Sequence, residues 1–209
     1  MRNGKVLVKL GAVLLAAGRG ERFGANKLLA DFAGRPMVCC ALEALKQFGA
    51  EKTVVVASCT EVANLARTYG FDVAENNAPQ LGQAYSVRLG IEKMMDMDAV
   101  LLMVADQPLL SAGSLAALLA AYKEDDRGLA CLRDSSHKGN PAIFDRTYYG
   151  QLMCLEGDRG AKGILRENEE DLMVVNCLYP MELADADDAS ALNALKAWYM
   201  KMKCSDGME

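Results

Sequence analysis

The sequence predicts an α/β fold with parallel strand pairing, and three observations predict it. Short apolar runs, several rich in β-branched residues, alternate along the chain with segments of helical character, the pattern of strands joined by right-handed helical crossovers. The runs are apolar without alternation, as in Ala99-Val100-Leu101-Leu102-Met103-Val104-Ala105, so both faces of the sheet are covered. A glycine-rich stretch follows the first run, and polar loops follow later ones, at the carboxyl edge where open sheets of this class bind ligands.

Length and composition set the bounds. A chain of 209 residues, 52% of them hydrophobic, reads as a single domain over residues 1–203 with a short tail at 204–209. A domain of this size buries roughly 70% of its unfolded surface. The formal net charge is −5 and no basic block occurs, so non-specific nucleic-acid binding is disfavoured and any anionic ligand must be held locally. Seven cysteines without C-x-x-C spacing read as small buried hydrophobes in a reducing cytoplasm, not as disulfides or a zinc site. His137 is the single histidine, which argues against histidine triads and multi-histidine metal centres. The apolar N-terminal run faintly imitates a secretory signal, but Lys9 interrupts it, and no segment reaches the ~20 apolar residues of a membrane helix.

Taken in order, Ala12 to Ala17 is predicted as a buried strand. It runs into Gly18, Gly20 and Gly24, three glycines in seven residues, which let the backbone turn tightly and approach a ligand closely. Backbone N–H groups in such a turn form an anion-binding concavity, and Arg22 and Lys27 add two cations beside it. The spacing is neither G-x-G-x-x-G nor the P-loop. A plain glycine-rich turn with solvated charges is the alternative reading. Pro36 is predicted to open a helix from Met37 to Phe48. Thr53 to Ser58 is a second strand, Glu61 to Tyr69 a helix stopped by Gly70, and Phe71 to Ala74 a third strand. The polar loop from Glu75, with Asn76, Gly82 and Ser86, leads into a helix ending near Met95; turn chemistry alone also accounts for these residues.

The run from Ala99 to Ala105 is the strongest core-strand signal and ends in Asp106-Gln107-Pro108. A carboxylate at the carboxyl end of a central strand suits Mg²⁺ bridging nucleotide phosphates, and a helix-cap aspartate is the alternative. A helix over Ser114 to Lys123 follows, then strands at Leu129 to Leu132, Gly139 to Phe144 and Leu172 to Asn176. Gly157-Asp158-Arg159-Gly160-Ala161-Lys162 opens a further helix with cations suited to a phosphate, or is an exposed charged cap. Asp185 to Leu192 introduces the C-terminal helix through Trp198, and its acidic residues would also serve as helix-dipole partners without any metal.

The motif Leu15-Ala16-Ala17-Gly18-Arg19-Gly20-Glu21-Arg22-Phe23-Gly24-Ala25-Asn26-Lys27 resembles the signature of nucleotidyltransferases of the molybdenum cofactor cytidylyltransferase type. These are relatives of the molybdenum cofactor guanylyltransferases and of methylerythritol phosphate cytidylyltransferase. The resemblance continues in order through Gly82 and Ser86, the D-x-P of Asp106, the Gly139-Asn140-Pro141 strand, the Gly157-Asp158 segment and the acidic box with Asp187. It implies a three-layer α/β/α sandwich of Rossmann-like, nucleotide-diphospho-sugar transferase type. It implies further that Leu15, Ala16, Ala17, Gly18, Arg19, Gly20, Lys27, Asn76, Gly82, Ser86 and Asp106 bind the nucleotide. Arg22, Lys27 and Asp106 would be catalytic, Asp106 and Asp187 would hold Mg²⁺, and Gly139, Asn140, Pro141, Asp158 and Lys162 would face the acceptor.

By the same resemblance the reaction is transfer of CMP from CTP to the terminal phosphate of molybdopterin cofactor, with a molybdenum hydroxylase as the downstream partner. Ala16-Ala17-Gly18 matches the cytidylyl enzymes, whereas guanylyl enzymes tend to read Ala-Gly-Gly. Two features depart from the family: Asn140 stands where histidine is usual, and Tyr85 where a small residue is usual. Transfer to another phosphorylated acceptor, such as a sugar phosphate or methylerythritol phosphate, and a non-catalytic cofactor carrier are the alternative readings.

Overall fold

The structure, a computed structural model, describes residues 8–18 and 26–205. Its element order is β1 (Leu10–Ala16), β2 (Asp31–Phe32), β3 (Arg35–Pro36), α1 (Val38–Phe48), β4 (Lys52–Ala57), α2 (Thr60–Thr68), β5 (Asp72–Glu75), α3 (Gln83–Glu92) and β6 (Ala99–Val104). Then follow α4 (Ala112–Glu124), β7 (Leu129–Arg133), β8 (Lys138–Asp145), α5 (Tyr149–Met153), α6 (Lys162–Glu167), β9 (Leu172–Asn176) and α7 (Ala189–Ser205).

Seven strands form one sheet in the order β5-β4-β1-β6-β8-β7-β9. β1 is buried along its whole length and pairs in parallel with β4 and β6, and β4 with β5, as continuous apolar runs require. On one face Leu14, Val55, Leu101 and Met103 pack with α1, α2, α4 and α7; on the other Val13, Val54, Val100 and Leu102 pack with α3, α5 and α6. The result is the expected three-layer α/β/α sandwich with a mainly parallel sheet. α3 approaches β1 closely at Gly90, where a Cβ would lie 2.4 Å from Cγ1 of Val13.

Two local features stand out, and the second corrects an expectation. β8 runs antiparallel to both β6 and β7, because only Asp134 to His137 join β7 to β8, too few residues for a crossover. Pro36 does not open α1. It closes a two-stranded hairpin with Asp31 and Phe32, turned by Ala33 (φ 55°) and Gly34 (φ 86°) in the left-handed region. α1 starts beyond it and ends at Gly49 (φ 69°), whose N–H reaches the carbonyl of Leu45. The predicted C-terminal helix extends past Trp198 to Ser205. Among the described residues no helix is long and apolar enough to cross a membrane, and the cysteines described are unpaired.

Candidate active site

Parallel pairing of β1 with β6, Leu15 opposite Val104, sends Ala17-Gly18 and Ala105-Asp106 out of the same sheet edge. The N–H of Ala105 still bonds the carbonyl of Leu15 at 3.1 Å, so the two exits stay in step. Lys27 opens a 3-10 turn that the Asn26 side chain caps by accepting from the N–H of Leu28 at 3.1 Å. Its Nζ lies 2.8 Å from Oδ2 of Asp106 and 3.3 Å from Oδ1 of Asp187. Burial works against the Lys27 ammonium, but the Asp106 carboxylate, joined by Asp187, outweighs it and holds the lysine pKa above its usual value. Asp187 is 160 residues distant in sequence from Lys27, so this triad exists only in the completed fold.

The loop Asp106-Gln107-Pro108 and the segment leading to α7 are stitched together. The N–H of Ala186 donates to the carbonyl of Asp106 at 2.9 Å. Buried Gln107 donates from Nε2 to the carbonyl of Leu183 at 3.1 Å and to Oδ1 of Asp185 at 3.0 Å. Glu182, fully buried, accepts from the N–H and Oγ of Ser111 and from the N–H of Tyr179. Asp134 accepts from the N–H of Leu183 at 3.2 Å. Burial opposes the Asp134 charge, yet the N–H groups of Ser136, His137 and Leu183 overcome it and keep its pKa low. Asp185 is pushed the other way, upward, by burial and by the neighbouring Asp106 charge.

Two clefts open at this edge. The larger, about 520 Å³, is lined by Ala17, Gly18, Lys27, Gly82, Ser86 and Asp106, among others. The smaller, about 350 Å³, is lined by Gly139, Asn140, Asp158, Lys162, Gln107 and Asp185 over an apolar floor that includes Phe144. Leu15, Gln83, Val104, Asp106 and Asp158 line both, so Asp106 stands in the common wall. That wall is tight. Gly82 has φ 84° and ψ −178°, and a Cβ there would lie 2.4 Å from the carbonyl oxygen of Gly157, while the N–H of Ala84 bonds that oxygen at 3.0 Å.

Most of the residues singled out in the sequence meet here: Leu15, Ala17, Gly18, Lys27, Gly82, Ser86 and Asp106 at the larger cleft, Gly139, Asn140, Asp158 and Lys162 at the smaller. Arg19, Gly20 and Arg22 lie outside the described residues. Three others stand back. The Ala16 side chain packs in the core on the opposite face from Leu15. Asn76 is 2% exposed, with Nδ2 on Oγ of Ser86 at 2.9 Å and Oδ1 accepting from the N–H of Ala78. It shapes the loop beneath the cleft and does not line it. Pro141 is buried in β8 and lines neither cleft. Gln83, Gln107 and Asp185 are lining residues that sequence reasoning missed. Gln107 had a visible signal, its place inside D-x-P, and Asp185 lay in the acidic box, but neither carried a role of its own.

The donor set can be tested against a metal. Asp106 Oδ1 is enclosed and lacks a hydrogen-bond partner among the described residues. With Asp187 it offers hard carboxylate oxygens of the kind Mg²⁺ or Mn²⁺ takes, with phosphate oxygens and water completing the shell. No group of three or more His, Cys, Asp or Glu arranged for a metal occurs among the described residues, so the fit is to a cation held jointly with a ligand. The Lys27 ammonium at the end of two parallel strands, its carboxylate partners Asp106 and Asp187, and two adjoining clefts together suit transfer between two phosphorylated molecules.

Residues 12–172 match the family model described as the MobA-like NTP transferase domain. The bifunctional protein GlmU of Pelobacter propionicus is 34% identical over 140 residues, 65% of this chain and 30% of that protein. This chain therefore spans less than a third of the length of the GlmU proteins it matches. The purine catabolism protein PucB of Bacillus subtilis is 29% identical over 174 residues, 75% of this chain and 80% of PucB. Among solved structures, a nucleotidyl transferase from Methanothermobacter thermautotrophicus superposes with a TM-score of 0.80 at 20% identity, covering 93% of this chain and 99% of that one. Rv0371c of Mycobacterium tuberculosis in complex with manganese superposes with a TM-score of 0.71 at 21% identity, over 90% and 98% of the two chains. At these identities the superpositions establish the fold.

Proposed function

Since the chain belongs to the MobA-like NTP transferase family, we propose that it transfers CMP from CTP to the terminal phosphate of molybdopterin cofactor, releasing pyrophosphate. The observation that carries the reading is the Lys27 ammonium, at the larger cleft, bridging Asp187 and Asp106, the latter standing in the wall that two clefts share. One cleft takes the nucleoside triphosphate and the other the acceptor, so that attacking and leaving groups meet at Asp106.

The preference for CTP is supported by Ala16-Ala17-Gly18, which matches the resembled cytidylyl enzymes where guanylyl enzymes tend to read Ala-Gly-Gly. An oxygen of the acceptor phosphate forms the new bond to the α-phosphorus; the bond from that phosphorus to the bridging oxygen breaks, and the electron pair leaves with pyrophosphate. The acceptor phosphate is ionised at neutral pH, so no side chain has to remove a proton from it. Lys27 donates hydrogen bonds to the oxygens on which charge builds, a role best served by an ammonium kept charged by its carboxylate neighbours. Gly18 and the glycines after it offer backbone N–H groups to the phosphates. Lys162 holds the acceptor phosphate, its stem lying against Gly139. Asp106 and Asp187 would hold a divalent cation, Mg²⁺, which when bound would neutralise the phosphate oxygens.

Asn140 at the position where histidine is usual in the resembled enzymes favours, as a second reading, another phosphorylated acceptor. One experiment separates them: pyrophosphate release with Mg²⁺, comparing CTP, GTP, ATP and UTP, with molybdopterin cofactor, a sugar 1-phosphate, methylerythritol phosphate or no acceptor. Cofactor-dependent release from CTP, lost in Asp106→Asn, supports the proposal. Release with a different acceptor supports the second reading, and nucleotide binding without release supports a carrier. A molybdenum hydroxylase as recipient of the product follows only if the first outcome is obtained.

A further inference from the structure

We propose that Gln107 is a positioning residue for the cation site, acting through Asp185 and Leu183 to hold Asp187 beside Asp106. The inference rests on the reading of Asp106 and Asp187 as the cation-holding pair. Asp187 is 62% exposed and, among the described residues, its Oδ1 meets Lys27 alone, so its own contacts hold it loosely. What fixes it is the chain on either side: after it Asp188 leads into α7, its Oδ1 accepting from the N–H of Ala191 at 2.8 Å, and before it comes the segment that Gln107 holds. Gln107 grips that chain from the Asp106 side, with Nε2 shared between the carbonyl of Leu183 at 3.1 Å and Oδ1 of Asp185 at 3.0 Å. The N–H of Ala186 closes the same clasp on the carbonyl of Asp106 at 2.9 Å. Asp187 is the next residue.

Gln107 is 4% exposed, and a carboxamide so enclosed holds its partners in one geometry. The rest of the segment is anchored independently. Glu182 binds Ser111 and Tyr179, and Asp134 takes the N–H of Leu183. Removing the Gln107 donors therefore leaves the segment docked and leaves the Ala186 N–H as the remaining tie to the Asp106 loop beside Asp187, so that end is loosened. Partners that orient a ligating group without touching the metal affect its affinity by about 10- to 100-fold.

Two near-isosteric variants separate the bond from the charge. Gln107→Met keeps volume and loses both donations; Asp185→Asn keeps an acceptor oxygen for Nε2 and loses the charge. The measurement is calorimetric binding of CTP over a Mg²⁺ titration, repeated with Mn²⁺ and read by the electron paramagnetic resonance of the bound ion, without turnover. We expect Gln107→Met to raise the half-saturating cation concentration about tenfold or more. CTP affinity at saturating cation should stay within threefold, and Asp185→Asn should shift the half-saturation by less than threefold. Gln107→Glu, which sets a carboxylate against Asp185, should reproduce the loss if Gln107→Met folds poorly. Equal cation requirement in the parent, Gln107→Met and Gln107→Glu overturns the inference while leaving the nucleotidyltransferase reading intact. A larger shift in Asp185→Asn than in Gln107→Met also overturns it, making Asp185 a direct ligand. A parent that binds CTP with no cation requirement overturns the metal site and this inference together.

Discussion

Gly82→Ala tests the wall between the two clefts. With φ 84° and ψ −178°, Gly82 occupies a region of backbone space used essentially by glycine alone, and an L-residue there costs about 1–3 kcal/mol. The added methyl would also lie 2.4 Å from the carbonyl oxygen of Gly157, 2.5 Å from its carbon and 2.6 Å from Oδ1 of Asp158. Two of these three atoms are backbone, so the loop at Gly157 must retreat by roughly an ångström to reach ordinary contact. That retreat breaks the bond from the N–H of Ala84 to Gly157, worth about 1 kcal/mol. The sum is about 2–4 kcal/mol. Because the two loops can part without disturbing the sheet, part of this appears as lost binding and not as global unfolding. Urea denaturation of Gly82→Ala should show a loss of about 1–2 kcal/mol, smaller than that sum, and calorimetry should show CTP affinity falling about tenfold or more. Gly163→Ala, in α6 with nothing within 4 Å of the new methyl, is the control and should be neutral or slightly stabilising. If Gly82→Ala unfolds within 0.5 kcal/mol of the parent and binds CTP unchanged, the close approach of these loops is refuted.

Lys27→Met should lower the rate of transfer about 10²–10³-fold. It should also lower the melting temperature, because Asp106 and Asp187 then face each other without their cation, and added Mg²⁺ should recover more of that loss than it adds to the parent; a variant with parental turnover would remove Lys27 from the mechanism. Asp134→Asn should cost about 1–3 kcal/mol at pH 7. The folded pKa of Asp134 lies below the ordinary value of 3.8, so the stability it adds is present above that pH and fades as pH falls through the folded value; the gap between variant and parent in denaturant should close at low pH and stay level between pH 6 and 8. Gly90→Ala and Gly11→Ala form a pair. Both new methyls would lie 2.4 Å from a side-chain atom, but Val13 is branched and fixed in a central strand, whereas the Met94 facing Gly11 is flexible. Thermal unfolding should therefore show Gly90→Ala to be the more destabilising, despite the gain in helix propensity; the reverse order would contradict the packing of α3 on β1.

Much of this arrangement is legible in the sequence because the signals are local. The unbroken apolar runs at β1 and β6 announce buried parallel strands, and the glycines and Asp106 that follow them mark the edge where ligands meet. What is not legible depends on partners far along the chain. Nothing near Asn76 indicates that its carboxamide is spent on Ser86 and Ala78, and nothing near Gln107 indicates that its donors reach Leu183 and Asp185. The antiparallel course of β8 is readable in principle from the short connection at Asp134 to His137, which leaves no room for a helical crossover. Pro36 misleads because proline suits the first turn of a helix and the end of a hairpin equally, and Ala33 with Gly34 decided for the hairpin.

The separation in sequence between Lys27 and Asp187 has a consequence for synthesis. β1, β4, β5 and β6, with the helices between them, are complete by Val104, so the parallel half of the sheet and most of the larger cleft can form while the remaining residues are still being made. The acidic partner arrives some eighty residues later. A nascent chain thus has the nearer of the two carboxylate partners of Lys27, Asp106, before it has the second. Closure at Asp187 gives Lys27 its second carboxylate, so the triad is assembled only when the C-terminal part of the chain has packed onto the parallel half of the sheet.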